Sequence, residues 1–581
     1  MFDLLAEVPG TVVLHDFFLG DVLSDIEDKE PTSRPWTLAL YESRGYRAVV
    51  ERFHAKDTRD VVLRYPANLD VVRRARGVIV HSQYACQLAC EWYGADVGRA
   101  WAVVPHPRKI ETDGAAIEAL RRDPAACADA YRDVIERFHE EAGTGPAGLL
   151  SSLAKLDINA RETRQVAAAM ASNHPALRSA RRLFIDVSEL VQRDARTGIQ
   201  RVTRSILQVL LSELPKGFRV ESVYATPTSA GFRFARRFTL GMCACPSDWM
   251  EDEPVDPQVG DIFLGLDLNQ TITAAQRSVL AGYSALGVRV YDVVYDLLPV
   301  LRPDCYPAGA HDAHSRWLDI VTRFDGVIAI SRAVADELVD WMKLHGPPRH
   351  RPLRISWWHL GADVAESAGA GSLPLEADEV CERLRSGPTF LIVSTIEPRK
   401  GHAQTLATFE RLWSAGVDVR LALVGKKGWM VDDLVARIES HPEIGRRLFW
   451  LKGISDGYLE KIYAASTCLL APSEGEGFGL FLIEAARHGL PILARDIPVF
   501  REVAGDHASY FTGLDADTLT GAIRDWLSQV RQDRHRRSDE MPWLTWEEST
   551  RQLLDVILQN RWPMRWPLSS KDEAEPGIAA R

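Results

Sequence analysis

Ser473-Glu474-Gly475-Glu476-Gly477-Phe478-Gly479-Leu480-Phe481-Leu482-Ile483-Glu484-Ala485 is the stretch from which the rest of the chain can be read. The apolar run Thr467-Cys468-Leu469-Leu470-Ala471-Pro472 leads into it, and an apolar helix start follows. Strand, glycine turn and helix is the order in which open α/β folds present a ligand site at strand carboxyl ends. Glycines let backbone approach a ligand, and a fresh helix N-terminus favours phosphate. Glu476 and Glu484 flank this turn as acceptors for sugar hydroxyls. A retaining glycosidase needs its two carboxyls about 5–5.5 Å apart. A turn and a helix start do not naturally produce that, so hydrolysis is disfavoured. A carboxylate favoured by the helix dipole accounts for one Glu but not for the Gly-Phe-Gly context.

Outward from this turn the same alternation recurs. Phe390-Leu391-Ile392-Val393, Val419 to Val424, Leu448 to Leu451 and Pro491 to Ala494 are near-continuous apolar runs separated by helical patterns. Upstream, Leu183 to Asp186, Arg219 to Val223, Asp261 to Leu264, Val288 to Val294 and Gly326 to Ile330 repeat it. Such runs predict buried parallel strands and an α/β fold. Ala115 to Ala142 and Leu149 to Met170 predict helix. Residues 1 to 112 read as short apolar strands alternating with polar stretches. Ala365 to Pro374 is a small-residue linker, and Ser569 to Arg581 a frayed tail.

With 581 residues, the chain is too long for one domain. A net charge of −11 argues against a general nucleic-acid binder. The basic clusters Arg349 to Arg354 and Arg531 to Arg537 suit a solvated surface better than a lipid-binding patch. The eight cysteines show no zinc spacing and read as reduced thiols. Met1-Phe2-Asp3-Leu4 lacks signal-peptide character, and no apolar run reaches a membrane span of about 18 residues. The expected location is cytoplasmic, with any membrane contact peripheral, at the inner face.

A partial echo lies at the N-terminus. Leu14-His15-Asp16-Phe17-Phe18 resembles Val294-Tyr295-Asp296-Leu297-Leu298, and Gly77 to Ser82 resembles Gly326 to Ser331. Val104-Pro105-His106-Pro107 then matches the place of Trp357-Trp358-His359-Leu360-Gly361. An insertion separates the first two elements of the echo. It has no Glu pair of its own, so a single active site is expected.

Three further segments carry charge to strand ends. Asp194-Ala195-Arg196-Thr197-Gly198-Ile199-Gln200-Arg201-Val202 opens a helix whose N–H groups, at Thr197 and Gly198, can face a diphosphate. Arg201 adds charge there or pairs with Asp186 or Asp194. Tyr291 to Pro299 ends a central strand and offers Asp296 for polar contact. Glu397-Pro398-Arg399-Lys400-Gly401-His402 sets two cations where a leaving group would gather negative charge. Gly425 and Gly453 end two more strands as wall residues or as ordinary turn glycines.

The Glu476/Glu484 spacing resembles the E-x7-E motif of retaining GT-B glycosyltransferases of the large glycosyltransferase 4 family. Asp-x-x-Thr-Gly-Ile-Gln-Arg-Val resembles the glycine loop of a subgroup made up mostly of bacterial polysaccharide and O-antigen mannosyltransferases. The resemblance covers about residues 181 to 560. It implies two Rossmann-like domains facing across a cleft. The implied division is 1–112 a partial GT-B N-domain-like unit, 113–180 a helical linker, and 181–375 the N-terminal acceptor domain. Residues 385–512 are then the nucleotide-sugar domain, 513–565 crossover helices and 566–581 a tail. Glu476 would reach the hydroxyls of the transferred sugar and Glu484 the ribose. Lys400 matches the family lysine on the diphosphate. Thr395 stands at the usual arginine position, and Arg399 substitutes for it. Gly477, Phe478 and Gly479 would line the donor, with Gly425 and Gly453 flanking its base. Tyr295 stands where many relatives carry a histidine that contacts the donor sugar. The implied reaction moves a hexose, with retention, from a nucleotide-sugar to a hydroxyl of a growing surface-polysaccharide or lipid-linked glycan. GDP-mannose is the implied donor, and no metal or other cofactor is expected. Two competing expectations are a nucleotide-sugar epimerase on the same fold and a non-catalytic glycan-assembly subunit.

Overall fold

Apolar runs that would cost solvation if left exposed instead stack as strands. In the computed structural model, which describes residues 2–30, 32–105, 124–174, 176–194, 198–363 and 373–567, they form parallel sheets covered by helices. Two units are distinguished. The first comprises Met1–Gln192, Leu210–Leu264 and Val279–Arg289, and the second Arg193–Val209, Gly265–Ser278 and Val290–Arg581.

In the first unit, Thr11–Val13, Gly77–Val80 and Ala102–Val103 make a three-stranded sheet in that order, parallel throughout. The rest of residues 2–105 is mainly short helices, among them Gly20–Lys29, Pro35–Arg44 and Tyr46–His54. The expected alternation of strands thus yields to helix. Leu23, Trp36, Leu40, Val61, Val62 and Leu69 bury one face each against the small sheet, the usual stripe of a surface helix. Ser82 caps the helix Gln83–Tyr93 through Ala85 N. In the second unit Ser331 caps Arg332–His345 through Val334 N in the same way, so the sequence echo extends to the caps. His106 and Pro107 of the echo lie outside the described residues. The expected helix Leu149 to Met170 is two helices, Pro146–Leu153 and Ala160–Asn173. Asn159 restarts the second with a capping box to Glu162. The unit also holds the strands Ile262–Gly265, Arg181–Asp186, Phe218–Thr226 and Ser229–Phe234 in that spatial order. The last pairs antiparallel, with a register shift, and had no counterpart in the sequence reading.

The second unit has two layers. Arg289–Val294, Gly326–Ala329 and Leu353–Trp357 run parallel. Met564–Trp566 returns antiparallel to Leu353–Trp357, bringing Trp562 against Gly326, where an added Cβ would meet the indole at 2.8 Å. The other layer is a six-stranded, all-parallel sheet. Its order is Leu448–Leu451, Arg420–Val424, Thr389–Val393, Cys468–Ala471, Ile492–Arg495, Ser509–Phe511. Phe390, Phe409, Leu421, Leu470, Ile523 and Trp526 are among its buried core. The chain leaves Thr389–Val393 towards one edge and comes back at Cys468–Ala471 towards the other. The carboxyl ends of these two neighbours are therefore the topological switch point, where open α/β sheets bind ligands.

All eight cysteines are free, and burial raises the Cys243 thiol to about 11. Arg349 is spent on the carbonyl of Phe324 at 2.7 Å, a structural use of one of the basic clusters. Among the described residues no helix is long and apolar enough to cross a membrane.

Candidate functional site

The site grows from the two strand ends at the switch point and lies wholly in the second unit. After Thr389–Val393 the chain makes a short 3-10 turn, Pro398–Lys400. Gly401 then takes φ 71°, and its missing side chain lets the turn lie on Pro472, whose carbonyl oxygen would sit 2.5 Å from a Cβ. After Cys468–Ala471 the loop Pro472 to Phe478 runs into the helix Leu480–Arg487, with Gly479 at φ 96° as its N-cap. The two loops are tied by Glu474 N, which donates to Arg399 O at 2.8 Å.

This brings Glu476, Lys400 and Arg399 together. Lys400 Nζ donates to Glu476 Oε1. Arg399 Nη1 lies 3.2 Å from Glu476 Oε2 and donates to Gly475 O at 3.0 Å. Its Nη2 lies 3.2 Å from Glu397. Burial alone would raise the Glu476 carboxyl, but Lys400 and Arg399 outweigh it and hold it at about 2. Burial draws the Lys400 ammonium below its ordinary value, so the charged couple depends on Glu476 staying ionised. Arg399 is also disfavoured by burial, yet Glu476, Tyr306 and Glu397 lift it above its usual value. His402 beneath them is buried and kept neutral, down at about 3, by desolvation and by Lys400. The two cations and two carboxylates balance, while the buried Arg399 Nε–H has no partner.

Asp296 is half-buried. Its carboxylate accepts from Leu298 N at 3.0 Å, and its charge is felt by Arg399. His314, held by Gln270 at 2.8 Å, reaches the Asp296 carbonyl at 3.0 Å. Tyr295 turns away from the site. It is buried, and its hydroxyl donates to Leu266 O at 2.7 Å. A cleft-facing role for this side chain is thereby removed. Its backbone still matters: a Cβ on Gly477 would meet Tyr295 O at 2.0 Å, and Ser331 Oγ donates to Gly477 O at 2.8 Å.

Glu484, on the helix Leu480–Arg487, accepts from Tyr463 Oη at 3.0 Å and from Arg201 Nη1 at 2.7 Å. Arg201 therefore pairs with neither Asp186 nor Asp194. Asp186 is taken by Ser188 N at 3.0 Å, and Asp194 by Arg204 at 2.7 Å. Gly198 opens the helix Gly198–Ser212, and among the described residues no atom lies within 4 Å of its Cβ position. Thr197 lies outside the described residues. Gly425 (φ 147°) packs onto Ser394 O, 2.1 Å from its Cβ position, and its carbonyl accepts from Trp450 at 2.8 Å. Gly453 (φ 61°) faces open space. Phe478 is buried edge-on to His359, 5.6 Å between ring centres. It anchors the loop from behind. Among the described residues no three His, Cys, Asp or Glu side chains converge as a metal site.

Sequence reasoning missed Tyr463, Glu337 and Arg302. Tyr463 lies in a helix with no local signal of function. Glu337 is pushed up to about 7, first by burial and then by Asp296. Arg302 grips Glu474 at 2.7 Å. Partners so far apart in the chain leave no spacing to read.

Residues 382–540 match the family model described as Glycosyl transferases group 1. They are a group 1 glycosyl transferase domain. The chain is 38% identical over 420 residues to the serotype-specific mannosyltransferase WbdA of Escherichia coli, covering 71% of this chain and 49% of that protein. A second E. coli protein of that name is 40% identical over 377 residues, 64% of this chain and 46% of its own length. The chain thus spans about half the length of these relatives. O-antigen chain mannosyltransferase B of E. coli is 29% identical over 29% of this chain and 44% of its own. Among solved structures, sucrose-phosphate synthase from Thermosynechococcus elongatus is 16% identical, with a TM-score of 0.47 over 65% of this chain and 99% of that one.

Proposed function

We propose that the chain is a retaining hexosyltransferase of the GT-B type, a mannosyltransferase that takes mannose from GDP-mannose and places it on a hydroxyl of a growing surface-polysaccharide or lipid-linked glycan. The observation that carries this reading is the buried Lys400–Glu476–Arg399 cluster at the switch point. The relatives, mannosyltransferases by name, supply the sugar. Glu476, ionised and fixed by two cations, accepts hydrogen bonds from the hydroxyls of the sugar. Arg399 and Lys400 meet the charge that gathers on the departing diphosphate. Among the described residues no side chain is read as a nucleophile. The acceptor hydroxyl therefore attacks on the face the diphosphate leaves, and the leaving phosphate takes its proton. Asp296 borders this place beside Arg399. The protein acts at the cytoplasmic side, meeting its acceptor at the membrane surface without spanning it.

The test is transfer of labelled mannose from GDP-mannose to an oligosaccharide or lipid-linked acceptor, with GDP release measured alongside. Glu476→Ala and Lys400→Ala should each abolish transfer. Full activity in Glu476→Ala sinks the assignment. Conversion of the nucleotide-sugar without acceptor would favour an epimerase instead. Failure of GDP, UDP and ADP alike to stabilise the native chain would favour a non-catalytic assembly subunit.

A further inference from the structure

Arg201 is unlike the other two cations at this site. Lys400 is buried and Arg399 only 13% exposed, whereas the Arg201 side chain is 43% exposed. Among the described residues, Glu484 is its one side-chain partner. With Tyr463 on the other oxygen, both oxygens of Glu484 are engaged. Yet Glu484 is the group that the ribose hydroxyls are read to reach. A ribose hydroxyl that reaches Oε1 meets the Arg201 guanidinium already there, and an exposed ion pair gives little against such a competitor.

We propose that Arg201 guards the ribose site and is exchanged onto the donor's phosphates. A ribose hydroxyl takes its place on Glu484 Oε1, and the released guanidinium pairs with the incoming diphosphate. Its planar fork fits phosphate oxygens better than a single carboxylate oxygen held at one nitrogen. A nucleoside diphosphate therefore opens its own ribose site. A nucleoside must displace Arg201 with nothing to offer in return. The pair is a filter that keeps Glu484 closed to nucleosides. Arg201 acts here as a positioning residue. The inference rests on reading Glu484 as the ribose acceptor.

Isothermal titration of the full chain with guanosine and with GDP tests it. In Arg201→Ala, guanosine should bind about two- to fivefold tighter because its competitor is gone. GDP should bind about tenfold weaker because a charge-assisted contact is lost. Arg201→Lys should restore most of the GDP affinity. The opposite signs are the signature, since a merely supporting arginine would shift both ligands the same way. Equal weakening of both ligands, or no change in either, overturns the inference. Glu484→Gln should weaken guanosine in the wild-type background. If it does not, the ribose reading fails, and the filter fails with it. If the wild type ignores GDP but binds UDP or ADP, the donor base is what fails, and the matching nucleoside pair decides Arg201 by the same signs. A chain that binds no nucleoside diphosphate overturns both readings.

Discussion

Lys400 and Glu476 are 76 positions apart in sequence yet share a hydrogen bond in a setting where both side chains are buried. The bond crosses the switch point, from the loop after Thr389–Val393 to the loop after Cys468–Ala471. It therefore fixes site and sheet at once. Removing one member of a buried pair leaves the other charge uncompensated, at a cost of about 3–5 kcal/mol. Glu476→Ala is expected to lower unfolding stability by that amount, and Lys400→Ala similarly. The double variant should be less destabilised than the sum of the singles, by about 1–3 kcal/mol. Urea denaturation of the four proteins measures this, and simple additivity would refute the coupling.

The pair also sets an acid limit. Glu476 is depressed from 4.5 to about 2 in the folded chain. Its contribution is fully present above pH 4.5, where the unfolded carboxyl is also ionised, and is lost as pH falls towards 2. Glu337 has the opposite sign. Its folded value is raised from 4.5 to about 7, so the folded chain holds its proton longer. Stability is then lost as pH rises between those values. Glu337→Gln should flatten the decline between pH 4.5 and 7, and Glu476→Gln the decline below 4.5. Denaturation midpoints across pH check both. Identical profiles for wild type and Glu337→Gln would remove Glu337 from the account.

Much of the six-stranded sheet was legible because a strand buried on both faces reads as an unbroken apolar run. Phe390 to Val393 and Leu421 to Val424 are such runs. Glycines with positive φ at the strand ends, such as Gly401 and Gly479, marked where the loops turn. Less legible was anything set by distant partners. Arg201 has Asp194 nearby in sequence, yet its partner is Glu484, 283 positions away. Nothing local distinguishes the two. Tyr295 stood in the sequence only as a departure from a histidine beside Asp296, and alternation along the strand end turns it into the core. In residues 2–105 the strands at Thr11–Val13 and Gly77–Val80 stand where apolar runs are found, but the stretch between them is helical, because short amphipathic helices mimic short strands in composition.

Glycines separate loop packing from ligand approach. At Gly477 a Cβ would lie 2.0 Å from Tyr295 O, backbone that cannot swing aside. Gly477→Ala should displace Glu476 and lose transfer together with roughly 1–3 kcal/mol of stability. At Gly198 a Cβ meets nothing among the described residues. Gly198→Ala should leave stability within about 1 kcal/mol of wild type, or raise it as Ala favours helix. It should still weaken nucleotide binding if the donor comes close to this backbone. Denaturation and GDP titration on both variants check this. Undiminished GDP affinity in Gly198→Ala would place the diphosphate elsewhere.

Tyr295 makes a sharper case, because the family resemblance implies a histidine at this position that would face the sugar. Here the hydroxyl donates to Leu266 O in the interior, and burial raises the phenol far above its ordinary value, so it neither ionises nor reaches substrate. Tyr295→Phe leaves the Leu266 carbonyl without its donor, at a cost of about 1 kcal/mol. It should keep transfer because the Tyr295 carbonyl that meets Gly477 is unchanged. Tyr295→His is the stricter variant. A smaller, polar ring in that buried space should cost roughly 2–3 kcal/mol without raising the transfer rate. Measured rates at saturating donor, set beside denaturation midpoints, distinguish the outcomes. A gain in turnover for the histidine variant would mean that the side chain reaches the donor after all, and the placement of Tyr295 in the core would have to be abandoned.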